Sequence, residues 1–201
     1  MTDAHTHQPL PQGIVGVLNV KLSEANADAI PQGLYSVGIH PWEAHLPINW
    51  QLFSHLAQKA IAIGECGIDK NSIAPLQQQI EIFEQQIDIA TQLGKPIIVH
   101  CVRAYGYLLN IIKKHSKQKW LIHGCYASAE WIKTASKYNV SFSIGPKQIH
   151  LPHIADVLNT IPPHKLMLET DDSGISISSL FRQISADEVV IDNNFKTFFS
   201  L

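Results

Sequence analysis

The chain is organised around eight short apolar runs, near residues 2–6, 14–20, 34–39, 60–64, 96–100, 119–123, 140–145 and 165–170. Most are unbroken stretches such as Pro96-Ile97-Ile98-Val99, not alternations of apolar and polar residues. A strand of that composition is covered on both faces, as in a parallel sheet flanked by helices. Helical patterns separate the later runs. The clearest spans Leu76 to Leu93, where Leu76, Ile80, Phe83, Ile87 and Ala90 form one stripe, with Pro75 at its start and Gly94 and Pro96 at its end. Others cover Ala104 to His115, Ser128 to Tyr138, His153 to Ile161 and Asp187 to Phe199. Strands alternating with helices predict an α/β fold, and eight of them a TIM-like (β/α)8 barrel carried by residues 1–201 as one domain. Between His7 and Ile14 there is no room for a helix, and between Val20 and Leu34 room for a short one at most. One or two outer helices are therefore expected to be reduced near the N-terminus.

Bulk properties exclude several classes. At 201 residues, 45% of them hydrophobic, the chain can bury a sizeable core. Its formal net charge of −2 gives neither a global basic field nor an acidic tail. Met1-Thr2-Asp3 does not begin a signal peptide, and the apolar runs are strand-sized, so neither secretion nor a membrane span is expected. The three cysteines are odd in number and lack C-x-x-C spacing, which predicts a reducing, cytoplasmic setting. No obligate protein partner is evident.

The runs end on residues of one chemical kind. His5 and His7 close the first, Glu65 follows the fourth, His100 and His123 end the fifth and sixth, and Asp171 ends the eighth. In a parallel barrel all strand C-termini lie on one face, so these side chains converge. Four imidazoles and two carboxylates at one spot predict a site for one or two divalent cations, Mg, Mn or Zn. A carboxylate has two oxygens and can bridge two cations, which makes Glu65 the candidate bridge. Asp171 is placed to bind metal and to take a proton from water. Glu169, one layer deeper on the same face, is suited to orient a ligand histidine. His40, which closes the third strand, points into the same mouth as a substrate contact. Asp69 is a weaker candidate for the site, a loop residue equally suited to being merely a cap or turn residue. Cys66 and Cys101 each follow a proposed ligand by one residue and should face the helices, and Cys125 reads as a third small buried hydrophobe.

The segments Asp3-Ala4-His5-Thr6-His7, Gly38-Ile39-His40-Pro41, Gly64-Glu65-Cys66-Gly67-Ile68-Asp69, Ile98-Val99-His100, Leu121-Ile122-His123 and Leu168-Glu169-Thr170-Asp171 occur in this order. Together they resemble the TatD-type DNase family of metal-dependent hydrolases, over nearly the whole chain. The resemblance implies a TIM-like barrel, a divalent metal centre and phosphodiester hydrolysis, with DNA ends or short single strands as substrate. Carried over by position, it implies one ion held by His5, His7, Glu65 and Asp171, a second held by Glu65, His100 and His123, and His40 beside the substrate phosphate. The chain departs from the family pattern in three loops. Ser-Arg after the fifth-strand histidine is here Cys101-Val102-Arg103, which displaces the phosphate-binding candidate Arg103 by one residue. The aromatic-Ser-Gly turn is here Gly124-Cys125-Tyr126-Ala127-Ser128, and Asp172-Ser173-Gly174-Ile175 leads into a shortened tail.

Two other functions compete at this stage. One is an amidohydrolase-like enzyme acting on C–N or ester bonds; many such barrels bridge their metals with a modified lysine where this chain has Glu65. The other is a non-catalytic metal-binding relic, which would have less need of Asp171.

Overall fold

The computed structural model describes residues 1–26 and 31–201. Eight strands run in sequence order through one parallel sheet: β1 (Thr2–Thr6), β2 (Val15–Lys21), β3 (Tyr35–Gly38), β4 (Ala62–Asp69), β5 (Ile97–Val102), β6 (Trp120–Ile122), β7 (Val140–Ile144) and β8 (Leu166–Leu168). The sheet curls back on itself through a parallel bridge between Thr6 and Asp171. Two main-chain bonds secure that seam, from His7 N to Asp171 O and from Asp171 N to His5 O, both 3.0 Å. Buried Asp3 reinforces it from below: Oδ1 accepts from Thr170 N at 3.0 Å and Oδ2 from Thr170 Oγ1 at 2.6 Å. Barrel closure thus brings the ends of β1 and β8, and so His5, His7 and Asp171, side by side.

Among the described residues seven helices cover the outside: α1 (Trp50–Lys59), α2 (Leu76–Leu93), α3 (Tyr105–Lys114), α4 (Ala129–Ala135), α5 (Ile154–Thr160), α6 (Ile177–Ile184) and α7 (Glu188–Phe199). No helix follows β1, and only the single turn Leu22–Glu24 follows β2 among the described residues, as expected on that side. Residues 27–30 of that connection lie outside the description. Helix ends follow local chemistry. Asn49, Ser128, Ser176 and Asp187 cap α1, α4, α6 and α7 by accepting from first-turn N–H groups. Gly94 closes α2 at φ +64, the left-handed turn that glycine adopts without a Cβ penalty. No helix among the described residues is long and apolar enough to cross a membrane.

The core has two parts. The larger lies between the strands and the helix layer and includes Phe53, Phe83, Trp120, Phe142 and all three cysteines. The smaller gathers Ala4, Val17, Ala62, Ile98, Leu121 and Met167 from six strands against Phe195, Phe198 and Phe199 of α7. On β5, β6 and β8 the residue two positions on from that layer is His100, His123 and Glu169, which by strand alternation lie on the same inner face. The barrel is thus filled by apolar side chains below and polar ones at its C-terminal mouth.

β4 differs from the reading of the sequence. The expected strand stopped at Gly64, but pairing continues to Asp69, with Cys66 opposite Val99 and Asp69 opposite Val102. The register shifts between Ile63 and Cys66, so Glu65 sits in an irregularity within the strand, not at its end. Such a shift re-aims a side chain. Gly64 and Gly67, both at φ +145, permit it: a Cβ on either would run into the backbone of Ile98 or His100.

Candidate metal centre

The six predicted side chains meet at the C-terminal mouth, with His40 beside them. Glu65 is at the middle, almost fully buried. Its Oε2 faces His5 Nε2 at 3.4 Å and His7 Nε2 at 3.2 Å. Its Oε1 faces His100 Nδ1 at 2.7 Å, His123 Nε2 at 2.8 Å and His40 Nε2 at 3.3 Å. Asp171 Oδ1 lies 3.8 Å from His5 Nε2 and 3.5 Å from His7 Nε2, closing the first group. Asp171 adopts φ +54, a left-handed conformation that Asp tolerates better than most residues. The Glu65 N–H donates to Asn19 Oδ1 at 2.8 Å, which ties the irregular stretch of β4 to β2.

The surrounding hydrogen bonds fix how His100, His123 and His40 present themselves. His100 Nε2 faces Asp69 Oδ2 at 3.1 Å and His123 Nδ1 faces Glu169 Oε1 at 3.3 Å. Each carboxylate takes one N–H, so that once the opposite nitrogen gives up its proton to an incoming cation its lone pair faces the centre. Glu169 is itself held by Ser143 Oγ, 2.5 Å from Oε2. Its placement matches the orienting role read from the sequence. His40 is arranged in the opposite sense. Its Nδ1 accepts from Trp42 N at 3.2 Å, leaving Nε2 to carry the proton toward Glu65. Burial lowers its pKa despite the pull of Glu65, so it stands as a neutral N–H donor.

Charge is balanced within the cluster. Burial alone would raise Glu65, but His123, His100 and His40 outweigh it and hold the carboxyl well below its usual range. Asp171 is lowered in the same way, burial being outweighed by His123, His5 and Lys147. Burial disfavours charge on His100 and His123 too. Asp69 and Glu65 nevertheless raise His100, and Glu65 and Glu169 raise His123 well above the ordinary imidazole value. These imidazoles hold protons that a cation must displace. Cation affinity is therefore expected to fall as pH drops, and binding to release protons. Calorimetry in buffers of different ionisation enthalpy checks this; pH-independent affinity with buffer-independent heat would contradict it.

The donor set fits a divalent cation. His5 is fully buried, yet neither ring nitrogen makes a hydrogen bond. A buried orphan is costly, and a cation at Nε2 would satisfy it. Ligand atoms of His5, His7 and Asp171 lie within 4.8 Å of one another, as do those of His5, Glu65 and His123 and of His40, Glu65 and His100. Imidazole and carboxylate suit Zn and Mn, and the oxygens also suit Mg. The cysteines offer no competing site: all three are free and buried, and burial pushes Cys101 and Cys125 up to about 12 and Cys66 well above the ordinary thiol value.

Three placements differ from, or add to, the sequence reading. Arg103 is exposed at φ +53 after β5 and makes no ion pair or hydrogen bond among the described residues, so it is not drawn into the cluster. Asp69 does serve its turn, Oδ1 accepting from Asn71 N at 2.7 Å, and it is also drawn to the cluster: it is buried, accepts from Trp42 Nε1 at 2.7 Å and faces His100. Lys147, which belongs to no motif of the sequence, pairs with Asp171 Oδ2 at 3.2 Å and Asp172 Oδ1 at 2.7 Å. A cleft of about 490 Å³ is lined by Lys95, Lys114, Lys117 and Lys119 near the N-terminal ends of β5 and β6, away from the cluster. Several of its charges have structural partners, Lys95 on the carbonyls that end α1 and Lys114 on Glu84.

Comparison with known proteins follows the same line. The family described as TatD related DNase matches residues 15–173, a stretch that holds Glu65, His100, His123 and Asp171 and begins after His5 and His7. The chain is 27% identical over 172 residues to the 3′-5′ ssDNA/RNA exonuclease TatD of Edwardsiella piscicida, a match covering 72% of this chain and 60% of that protein. It is 33% identical over 121 residues to the human 3′-5′ RNA nuclease TATDN2, covering 56% of this chain and 16% of that protein. The matches thus span less than two thirds of these relatives. Among solved structures, YJJV, a TatD homologue from Escherichia coli K12, superposes with a TM-score of 0.79 at 19% identity over 100% of this chain and 98% of that one, a likeness of fold. With the family match running through most of its length, the chain belongs to the TatD-related DNases.

Proposed function

We propose that the protein is a divalent-cation-dependent phosphodiesterase that removes nucleotides from the end of single-stranded nucleic acid. One observation carries the reading: the two oxygens of Glu65 face two separate sets of imidazoles, the arrangement a carboxylate needs to bridge two cations. His5, His7, Asp171 and Glu65 would hold one ion and Glu65, His100 and His123 the other. The names of the relatives support a nucleic-acid substrate, and 3′-5′ in those names points to the 3′ end.

Bound cations supply Lewis acidity, polarising a phosphoryl oxygen and making a water more acidic. The protein's own groups do the rest. Asp171, ionised through its depressed pKa, accepts the water proton. The His40 Nε2–H donates to a phosphoryl oxygen, a role that its fixed tautomer suits. Glu169 and Asp69 keep His123 and His100 from turning. Arg103, exposed on the loop after β5, is free to meet the next phosphate along the strand.

A panel of single-stranded and duplex oligonucleotides, phosphomonoesters and small amides, each with Mg, Mn or Zn, tests the reading. Cation-dependent shortening of single strands from the 3′ end is expected. Duplex binding should be weak and its salt dependence shallow, because a chain of net charge −2 neutralises few phosphates. Turnover confined to amides, or tight cation-independent binding of long duplex, would overturn it.

A further inference from the structure

Trp42 is a large aromatic residue left 59% exposed beside the centre, although its position is tightly specified. It follows His40 by two residues and meets that ring edge to face, with centroids 5.5 Å apart and planes at 88°. Its indole N–H donates at 2.7 Å to Asp69 Oδ2, the same oxygen that faces His100 Nε2 at 3.1 Å. The side chain is therefore pinned at its polar end and braced by a ring that belongs to the cluster, while most of its surface stays open to solvent. Packing does not account for that, since burying an indole is what ordinarily repays its size. A fixed, open aromatic surface is what stacking of an unpaired base requires, because the ring loses little freedom when the base arrives.

The neighbouring chemistry favours the same occupant. Lys70, which follows Asp69, stands over the Tyr107 ring with Nζ 4.8 Å from its centroid. That places a cation, and a second partly exposed aromatic, on the rim beyond the Trp42 anchor. Arg103 stands exposed on the loop after β5 and Lys147 is already paired with Asp171 and Asp172; with the chain net acidic, stacking replaces part of the phosphate contact that nucleic-acid binding ordinarily uses. A paired base is held in its stack by the partner strand, whereas an unpaired terminal base is free to turn one face onto the indole.

We propose that Trp42 is the stacking platform for an unpaired nucleobase flanking the scissile phosphate, and so selects single-stranded ends. The proposal rests on the phosphodiesterase reading and names how that site grips its substrate. The test compares kcat/KM for a short single strand with that for the same strand carrying an abasic residue at its 3′-terminal or penultimate position. The parent protein should prefer the intact strand over one of the two abasic strands by about tenfold or more, the scale of one base stacked on an aromatic ring. Trp42→Leu should lose most of its activity on the intact strand and far less on that abasic one, so the ratio collapses toward one. Trp42→Phe, which keeps a ring without the N–H, should retain much of the preference. Equal parental rates on intact and abasic strands would overturn the platform while leaving phosphodiester hydrolysis standing. A Trp42→Leu variant slowed equally on both would show that the residue only supports Asp69. Cleavage of neither strand, with turnover of an amide, would remove the phosphodiesterase reading and the platform together.

Discussion

Replacing Asp171 by Asn is expected to leave a folded, cation-binding protein whose turnover falls at least about a hundredfold, the low end for loss of a general base. The fold should survive because the bonds that seal the barrel at this residue are main-chain ones, to His5 O and from His7 N. The φ of +54 is also one that Asn tolerates. Asn retains one oxygen toward His5 and His7 but cannot accept a proton there. Circular dichroism and cation titration should match the parent, and steady-state kinetics should not. Turnover within a few-fold of the parent would remove Asp171 from the role of base.

Glu65→Gln should weaken cation binding unequally. An amide offers one oxygen and one NH₂, so it cannot accept from both sides as the carboxylate does. The side of His5 and His7 keeps Asp171, whereas the side of His100 and His123 keeps no inward-facing carboxylate. Binding on the His100 side is expected to fall by about a hundredfold or more, since even an outer partner of a metal ligand is worth ten- to a hundredfold. The His5 side should lose less. Metal content after dialysis and a titration of each variant measure this. Unchanged stoichiometry and affinity would count against bridging.

The sequence displays the ligand residues because they interrupt strongly patterned segments: His100 and His123 each end an apolar strand, and His5 and His7 sit two apart. What supports them is less visible. The stripe of α2 suggested Leu76 and Ile80 as inward residues, but both are only half-buried, while Gln79 and Gln86 are buried. Gln86 bonds the backbone of Ile39, and Gln79 that of Asp69, so both hold strand ends at the mouth. Their partners lie ten or more residues away in sequence, out of reach of local periodicity. Asn19 is hidden for the same reason, and so is the hold of Asp69 on His100, since each acts on a residue from another strand. The continuation of β4 past Gly64 was hidden because glycine and Glu65 break the apolar run, although pairing with β5 carries on. Helices α1 and α6 were not read at all. Ser176 followed by Ile177, Leu180 and Phe181 is a cap and an apolar face that could have revealed α6.

On the proposed function, Glu65 divides one cluster into two cation sites. Anomalous diffraction from crystals soaked in Mn tests it most directly. Two peaks are expected flanking the Glu65 carboxylate, one among His5, His7 and Asp171 and the other among His100 and His123. Peaks only at the Lys-lined cleft or along surface carboxylates, with none beside Glu65, would contradict it.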